Sequence, residues 1–359
     1  MKKSFLFLFA IFFSLTLGHS QDKNQKADNI LNELITKNVA TGAVAGYSKD
    51  GKTVWTSATG HADKKNNVLF QKDTKTRIAS ITKSFTAIAV MQLVEKGLVD
   101  INASIQTYVP NFPKKKRGTI TVKHLLEHSS GLGAYKNNKE RETKKEYPTL
   151  TDAMSVFKSR KLEFKPGTNY AYTTYGYVVL GLLIENVSGK TYAEYIEENI
   201  FRPAGMKNTH LEKYGVEVAN KSALYSRNKK GIIKEMPTNN LSNRIPAGGY
   251  YSTVDDLLAF GNAVLEHKLI EESTLQQMTQ NNGLKKEGNP QGFGWFLYGG
   301  KENTEGVIGH SGGQTGSSTQ ILIIPSTKRV VVTLANTSRV WPEVFGVCAN
   351  VLNAFRENK

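Results

Sequence analysis

Cysteine is nearly absent from the sequence, since Cys348 is the only one among 359 residues. A single cysteine excludes intramolecular disulfides and a lipid-modified cysteine near the N-terminus. The fold therefore depends on a hydrophobic core, which a chain of this length can build. After the N-terminal segment, no apolar run approaches the ~18 residues that a transmembrane helix needs. The content of 39% hydrophobic and 22% charged residues is typical of one large globular domain or two intermingled ones.

Acidic residues are scarce beside basic ones: 31 Asp and Glu stand against 47 Lys and Arg, which gives a net charge of +16. Much of the excess lies in two polar stretches, KKKR at 114–117 and KNNKERETKK at 136–145. One interpretation is attraction to an anionic envelope or polymer. Solvated loops on a lysine-rich protein are favoured, because nothing in the sequence resembles a nucleic-acid-binding module. We therefore predict no nucleic-acid partner.

The N-terminus is typical of a secretory signal peptide over residues 1–20. Lys2 and Lys3 precede an apolar run over 5–17, and Gly18-His19-Ser20 supplies a small-x-small cleavage site. The run is too short for a good membrane span, so an uncleaved anchor is the weaker alternative. The sequence thus predicts an exported protein, periplasmic or secreted, with no stable membrane span.

Strand patterns occur near both ends of the mature chain. They comprise an alternating hairpin around Asp50-Gly51 and, towards the C-terminus, the runs GFGWFLY, TQILII and RVVVTLA. Between them, residues 78–98 predict a long helix closed by Gly97. Residues 102–244 are polar and loop-rich, with short helical patches. The organisation is one of strands at both ends with a long helical and irregular insertion.

Residues 309–313, GHSGG, fit the G-x-S-x-G pattern of a nucleophile elbow. An elbow requires a helix directly after the serine, and its acid and histidine follow the serine in the sequence. Here glycines and strands follow Ser311, and no histidine or aspartate occurs after it. The pattern therefore does not support Ser311 as a nucleophile.

Residues 124–128, HLLEH, fit the H-x-x-E-H zinc pattern. In it, His124 and His128 would share a metal and Glu127 would act as general base. Ser129-Ser130-Gly131 ends the helix at once, and no third ligand stands out. The preferred interpretation is a helix end and turn that shape a loop. We predict no metal and no cofactor, and a zinc hydrolase stays as the third-ranked hypothesis.

The S-x-x-K pattern occurs four times, starting at Ser20, Ser80, Ser155 and Ser226. On a helix, residues three apart share a face, so the lysine amine can reach the serine hydroxyl. Only Ser80 and Lys83 open a long helix with a buried face. Free N–H groups and the positive dipole at such a helix start favour developing negative charge. From this segment alone, a pair that merely caps a core helix stays equally open.

Six stretches make the sequence similar to the serine β-lactamase and penicillin-binding protein superfamily, especially the class C branch and its esterase and peptidase relatives. They span almost the whole mature chain in the family's order, and jointly they are far more specific than any single motif. The second and third boxes resemble those of the mitochondrial β-lactamase-like group. The six stretches are RIASITKSFTAIAVMQLVEKGLVD, HLLEHSSGL, FKPGTNYAYTTYGYVVLGLLIENVSGKTY, FRPAGMKNT, AGGYYSTVDDLLAFGNAVL and GHSGGQTGSS.

The resemblance implies an α+β fold of the β-lactamase/transpeptidase type, with an antiparallel sheet flanked by helices. Residues 21–105 and 245–359 would form a discontinuous sheet domain, and residues 106–244 would form a mostly helical inserted domain. The active site would lie in the cleft between the two domains.

Carried over by position, Ser80 would be the acylated nucleophile, Lys83 its partner base and Tyr172 a second proton-transfer group. The backbone N–H groups of Ser80 and Gly313 would form the oxyanion hole, the latter helped by glycine's lack of a side chain. Whether Lys83 or Tyr172 takes the proton stays open, because their titrations are coupled. The residues expected to bind substrate are Thr174, His310, Ser311 and Gly312.

Two departures from the β-lactamase pattern bear on the substrate. Thr174 replaces the usual asparagine of the second box, and His310 replaces the lysine of the third. A histidine near its reference pKa of ~6.5 is mostly neutral at pH 7 and would hold a substrate carboxylate less well than lysine. Both changes favour a peptidase, a D-amino-acid amidase or an esterase over an efficient β-lactamase.

The sequence therefore predicts a serine hydrolase that forms an acyl-enzyme on Ser80 with an amide or ester of a small molecule or peptide. The alternative is a non-catalytic penicillin-binding-like or assembly protein on the same scaffold. Relatives that form filaments leave self-association open.

Overall fold

The computed structural model describes residues 22–286, 288, 290–299 and 306–356. The predicted signal peptide over residues 1–20 lies outside this part. The helices are α1 (22–36), α2 (Thr82–Glu95), α3 (Ile105–Tyr108), α4 (Val122–Leu126), α5 (Asn138–Arg141), α6 (Leu150–Ser155), α7 (Thr174–Ser188), α8 (Tyr192–Ile196), α9 (Arg202–Ala204), α10 (Ile245–Gly248), α11 (Val254–Leu265), α12 (Glu272–Met278) and α13 (Trp341–Ala354). Across the described residues, none of these helices has the length and apolar character to span a bilayer.

The strands are β1 (Gly42–Lys49), β2 (Lys52–Asp63), β3 (Val68–Leu69), β4 (Thr76–Arg77), β5 (His210–Leu211), β6 (Tyr225–Arg227), β7 (Ile233–Glu235), β8 (Tyr250–Ser252), β9 (Phe296–Leu297), β10 (Ile308–Gln314), β11 (Ser317–Ile324), β12 (Arg329–Ala335) and β13 (Thr337–Ser338). Seven of them form one antiparallel sheet in the order β3-β2-β1-β12-β11-β10-β9. Two three-stranded sheets, β13-β6-β7 and β4-β8-β5, accompany it.

The two ends of the chain meet at the centre of the large sheet. There β1 pairs with β12, from Ala43 opposite Ala335 to Lys49 opposite Arg329. The result is an antiparallel sheet with helices packed on it, so the predicted α+β fold class is confirmed. Residues 106–244, all of which are described, add no strand to the large sheet. The division of the chain into two domains stays a prediction.

Helices cover both faces of the large sheet. Successive side chains of a strand point to opposite faces. Val330 and Val332 of β12 lie in one core cluster with Leu257 of α11, whereas Val331 lies in a second cluster with Val344 of α13. A strand covered on both faces favours apolar side chains at successive positions, which explains the run Val330-Val331-Val332.

The hairpin predicted around Asp50-Gly51 is present and joins β1 to β2. Asp50 and Gly51 have φ angles of 51° and 76°. Two consecutive left-handed residues match the twist of the flanking strands, and an Asp-Gly pair adopts that conformation at low cost. The local signal was therefore sufficient.

The helix predicted over residues 78–98 is shorter than expected. A 3₁₀ turn at Ala79–Ile81 precedes α2, and Gly97 at φ 69° follows its end. Side chains of α2 are buried without interruption from Thr82 to Leu93. A helix that is buried on every side belongs to the centre of a protein. Helix α2 thus forms a fixed support for the turn in front of it.

The strand predicted from GFGWFLY is mostly wrong, since only Phe296–Leu297 is extended in the sheet. Gly294 has a φ of +74°, and a Cβ there would lie 2.4 Å from the Cβ of Ala87. The segment is therefore a close-packed turn against α2. Strand β10 shows no local strand pattern, because glycines are depleted in strands and weaken the sequence signal.

Candidate active site

Ser80 lies in the 3₁₀ turn that leads into α2. The preceding residue, Ala79, has a φ of 49°, in the left-handed region that residues with a side chain rarely adopt. Ile78 fixes this turn on both sides: its N–H donates to the carbonyl of Tyr250 at 3.1 Å, and its carbonyl accepts from the hydroxyl of Thr319 at 3.1 Å. Backbone strain of this kind persists only where the surroundings maintain it, and it concentrates at functional sites.

Arg77 anchors the same segment and was missed by the sequence analysis. Its guanidinium is fully buried and forms an ion pair with Glu212 at 2.6 Å. It also donates to Asn239 Oδ1 at 2.7 Å and to the carbonyl of Thr315 at 3.1 Å. Because these partners are distant in the sequence, no local pattern signals the anchor.

Lys83 lies one helical turn after Ser80 and points back at it. Its Nζ donates to Ser80 Oγ at 3.0 Å and to the carbonyl oxygen of Ala247 at 3.0 Å. The side chain is fully buried. Burial, with a smaller contribution from the charge of Arg244, lowers the pKa of Lys83 to about 7. Near neutral pH, a substantial fraction of this amine is therefore uncharged and able to accept a proton.

Tyr172 completes the cluster from the loop before α7. The Nζ of Lys83 lies 4.8 Å from the centroid of its ring. Burial raises the pKa of Tyr172 above its ordinary value, and the interaction with the hydroxyl of Ser80 offsets only part of that rise. The phenol thus stays protonated at neutral pH. It can donate a proton there but is not a phenolate base.

The second box is held by the turn that follows α4. The backbone N–H of Thr173 donates to Nδ1 of His128 at 3.2 Å, and its hydroxyl donates to the carbonyl of Gly133 at 3.0 Å. The ring of His128 also packs 4.3 Å from the ring of Tyr172. His128 therefore holds Tyr172 and Thr173 in place from the side away from the cavity.

The other two polar side chains of HLLEH, His124 and Glu127, make contacts with residues near them in the sequence. Nδ1 of His124 accepts from the N–H of Thr121 at 3.2 Å, as part of the cap of α4. Glu127 accepts from the hydroxyl of Ser129 at 2.7 Å. In the described part of the chain, no three His, Cys, Asp or Glu side chains are grouped so that they could hold a metal ion. The geometry supports the helix-end interpretation over the zinc hydrolase.

His310 lies within β10, and its side chain is fully buried. Its Nδ1 lies 2.6 Å from the carbonyl of Ser311, so this nitrogen carries the proton and Nε2 is the unprotonated one. Burial, together with the nearby charge of Lys83, lowers the pKa of His310 to about 3. The imidazole is therefore neutral at physiological pH and offers no positive charge to an anion.

Ser311 lies inside β10, opposite Gln320 of β11, and not at a turn from a strand into a helix. Among the described residues, β9 pairs with β10 only at Ile308 and Gly309. On the side away from β11, the part of β10 after Gly309 therefore has no neighbouring strand among the described residues. An open strand edge is suited to pairing with an extended substrate.

Two glycines of β10 have different steric roles. A Cβ on Gly312 would lie 2.1 Å from Thr319 Oγ1 and 2.3 Å from the carbonyl oxygen of Ile78. A Cβ on Gly313 would meet nothing within 4 Å. The sequence analysis attributed the benefit of a missing side chain to Gly313. In the structure it is Gly312 that allows β10 to approach the Ser80 turn.

A cavity of about 250 Å³ opens at Ser80. Four of the predicted site residues line it, while Lys83 and His310 are fully buried. Ser311 and Gly312 lie on the same strand as Gly313. Arg141, Arg244, Tyr135 and Gln314 also line the cavity and were not predicted from the sequence. The lining residues are Ala79, Ser80, Ala134, Tyr135, Arg141, Tyr172, Thr174, Arg244, Ala247, Gly248, Gly313 and Gln314.

A helix-flanked antiparallel sheet, with a serine and a lysine paired at the start of a central helix, is the β-lactamase/transpeptidase fold, which a family of serine hydrolases shares. The sequence profile of the Beta-lactamase family matches residues 27–344. The chain therefore belongs to the beta-lactamase family, and the resemblance inferred from the six stretches is confirmed.

Individual relatives support the same assignment. The mitochondrial serine beta-lactamase-like protein LACTB of Homo sapiens is 28% identical over 379 residues, which cover 80% of this chain and 69% of the relative. The octameric penicillin-binding protein homologue from Pyrococcus abyssi is 26% identical, with a TM-score of 0.80 over 93% of this chain and 78% of that one. The D-amino acid amidase from Ochrobactrum anthropi SV3, solved with L-phenylalanine amide, is 25% identical, with a TM-score of 0.79 over 93% of this chain and 98% of the amidase.

Proposed function

We propose that this protein hydrolyses an amide or ester through an acyl-enzyme on Ser80, with Lys83 as the base. One observation carries the proposal. The Nζ of Lys83 lies 3.0 Å from Ser80 Oγ, and its pKa is lowered to about 7. A serine hydroxyl is a weak nucleophile that needs an adjacent base, and a base is most effective when its pKa lies near the working pH.

The acylation step follows from these positions. Neutral Lys83 takes the proton of Ser80 as Oγ bonds to the carbonyl carbon of the substrate. The backbone N–H groups of Ser80 and Gly313 stabilise the oxyanion that forms. The phenol of Tyr172 donates its proton to the departing amine or alcohol as the carbon–heteroatom bond breaks, and it regains a proton from Lys83.

Deacylation reverses the roles of the groups. Water attacks the ester of Ser80 and gives one proton to the base, and the carbon–Oγ bond breaks as Ser80 recovers its proton. The free acid leaves, and the enzyme returns to its starting state. Every proton is accounted for within the cluster and the water, and no redox partner is needed, because hydrolysis changes no oxidation state.

Within this reaction, amide substrates rank above esters, and both rank above β-lactams. The D-amino acid amidase among the related structures supports an amide. The neutral, buried His310 argues against efficient β-lactam hydrolysis, because the third box then offers no positive charge at the position where the lysine of β-lactamases stands. The alternative, a non-catalytic binding protein on this scaffold, is disfavoured by the close contact of Lys83 with Ser80.

Intact-mass analysis after separate treatment with a fluorophosphonate and with a penicillin tests the proposal. We expect a mass gain from the fluorophosphonate that is absent in Ser80→Ala. A penicillin adduct that persists for hours would indicate slow deacylation. A folded wild-type protein that gains mass with neither reagent would instead favour the binding-protein alternative.

We also propose that the chain is exported to the periplasm or secreted, on the strength of the N-terminal pattern over residues 1–20. The mitochondrial location in the name of LACTB belongs to that protein. Expression of the full chain in a bacterium, followed by fractionation and N-terminal mass analysis, tests this proposal. We expect a mature protein that begins near Gln21 outside the cytoplasm, whereas an uncleaved cytoplasmic chain would contradict it.

A further inference from the structure

Arg244 places a buried positive charge on the wall of the Ser80 cavity. The residue is only 4% exposed. In the described part of the chain, no carboxylate lies within ion-pair distance of its guanidinium. An arginine cannot lose its charge near neutral pH, and a buried charge without a counter-ion is costly. The side chain therefore lacks its electrostatic partner when the cavity holds no substrate.

Neighbouring groups hold this guanidinium in a fixed orientation. Nε donates to Asn243 Oδ1 at 2.8 Å, and Nη2 donates to the backbone carbonyl of Arg141. The ring of Tyr135 packs against one face, with its centroid 4.8 Å from the guanidinium carbon. These contacts use one edge and one face. Among the described residues, no acceptor lies within hydrogen-bond distance of Nη1, so this edge of the guanidinium remains available towards the cavity.

Other charges near the cavity are already compensated. Arg141 pairs with Glu142 at 2.9 Å, and Glu142 also accepts from the hydroxyl of Thr315 at 2.6 Å. Glu140 pairs with Arg160 at 2.8 Å. After these pairs are formed, Arg244 is the cation on the cavity wall that lacks a carboxylate among the described residues.

We propose that Arg244 is a specificity-determining residue that binds a carboxylate of the substrate, so that the enzyme prefers anionic amides or esters. This inference rests on the proposed function, since it places the carboxylate on the same molecule that acylates Ser80. A planar guanidinium edge matches a carboxylate and forms charge-assisted hydrogen bonds with it.

The proposed position differs from the one that the sequence suggested. The third box was expected to contact a substrate carboxylate, weakly, through His310. In the structure that imidazole is neutral and fully buried, whereas Arg244 is charged and faces the cavity. The proposed anion-binding group therefore does not lie on β10 with the third box. It lies in the segment that leads into α10.

Two matched esters test the inference by activity: the mono-p-nitrophenyl ester of glutaric acid, which carries a carboxylate, and p-nitrophenyl butyrate, which does not. We expect Arg244→Gln to lower kcat/KM for the anionic ester by about 10- to 100-fold relative to the neutral one, mainly through KM. Arg141→Gln is the matched control, because this arginine lines the same cavity but is paired with Glu142. Arg141→Gln should change the ratio of the two kcat/KM values, anionic to neutral ester, by less than about threefold, because exposed ion pairs contribute little.

An equal loss on both esters would overturn the inference. Arg244 would then act by lowering the pKa of Lys83 through its charge. In that case the midpoint of the pH–rate profile for the neutral ester would shift towards higher pH in Arg244→Gln. Circular dichroism and thermal unfolding of each variant separate these effects from misfolding.

A binding measurement keeps the inference separate from the proposed function. Ser80→Ala is titrated with glutaric acid monomethyl ester and with the dimethyl ester, followed by NMR. We expect the monoester to bind at least about tenfold more tightly, and the preference to vanish in the Ser80→Ala/Arg244→Gln double variant. Equal binding of the two esters to Ser80→Ala overturns the inference even if the enzyme hydrolyses neutral esters. Preferential binding with no hydrolysis by the wild type supports the carboxylate site and contradicts the proposed reaction.

Discussion

Gly312 on β10 and Ile78 before the Ser80 turn lie so close that a Cβ on the glycine would be 2.3 Å from the carbonyl oxygen of Ile78. This contact sets the distance between β10 and Ser80. The carbonyl of Ile78 is already held by Thr319 from the neighbouring strand. The turn therefore cannot yield to a larger side chain without moving the serine.

Gly312→Ala is expected to lower the free energy of unfolding by about 1–3 kcal/mol, because an overpacked site has to shift its surroundings. Acylation by a fluorophosphonate should slow as the strand moves away from Ser80. Gly313→Ala is the control, since its Cβ meets nothing within 4 Å and its φ is not left-handed. Urea unfolding of both variants checks the prediction, and equal destabilisation by the two substitutions would contradict it.

The activity should follow the protonation of Lys83. Its pKa of about 7 means that the amine is charged below that pH and neutral above it. Because the base must be neutral, kcat/KM for a neutral ester is expected to fall about tenfold per pH unit below the midpoint and to level off above it. In Lys83→Arg, the arginine cannot lose its proton, so kcat/KM should fall by about 10²–10⁴-fold at every pH. If the activity of Lys83→Arg recovered at high pH, a group other than Lys83 would be the base.

Tyr172→Phe distinguishes a proton donor from a base. Burial raises the pKa of Tyr172, so the phenol does not ionise in the range where Lys83 titrates. We expect the variant to lose about 10²–10⁴-fold in kcat while its pH midpoint stays near that of the wild type. A pH–rate profile of an amide substrate measures both quantities. If the midpoint disappeared in Tyr172→Phe, the phenolate and not Lys83 would be the base.

The buried pair of Arg77 and Glu212 should be essential for the catalytic turn. Burial alone would raise the pKa of Glu212, but the hydrogen bonds and charges of Arg77 and Lys221 lower it below the ordinary value. Glu212→Gln leaves the buried guanidinium unpaired and is expected to cost about 3–5 kcal/mol of stability. Glu33→Gln, which breaks the exposed pair with Lys37, should leave the unfolding midpoint unchanged. A small effect of Glu212→Gln would show that Asn239 and Thr315 hold Arg77 without it.

Local signals predicted those elements whose formation depends on neighbours in the sequence. The Asp50-Gly51 hairpin follows from the conformational preference of two residues, and the end of α2 just before Gly97 follows from a glycine in the left-handed conformation. The pairing of Ser80 with Lys83 follows from helical spacing. Local patterns indicated neither strand β10 nor the turn at Gly294, because their glycines serve contacts with distant segments, which no window of the sequence contains.

The sequence by itself determined the fold class and the family and singled out Ser80, Lys83 and Tyr172 as candidate site residues, because motifs in a fixed order and short-range spacing carry that information. Only the tertiary structure decided which of these groups can accept a proton. Desolvation lowers the pKa of Lys83 and raises that of Tyr172, and desolvation depends on what surrounds each side chain. The same reason applies to Arg244, whose charge becomes significant only because folding buries it beside Ser80 without a carboxylate in the described part of the chain.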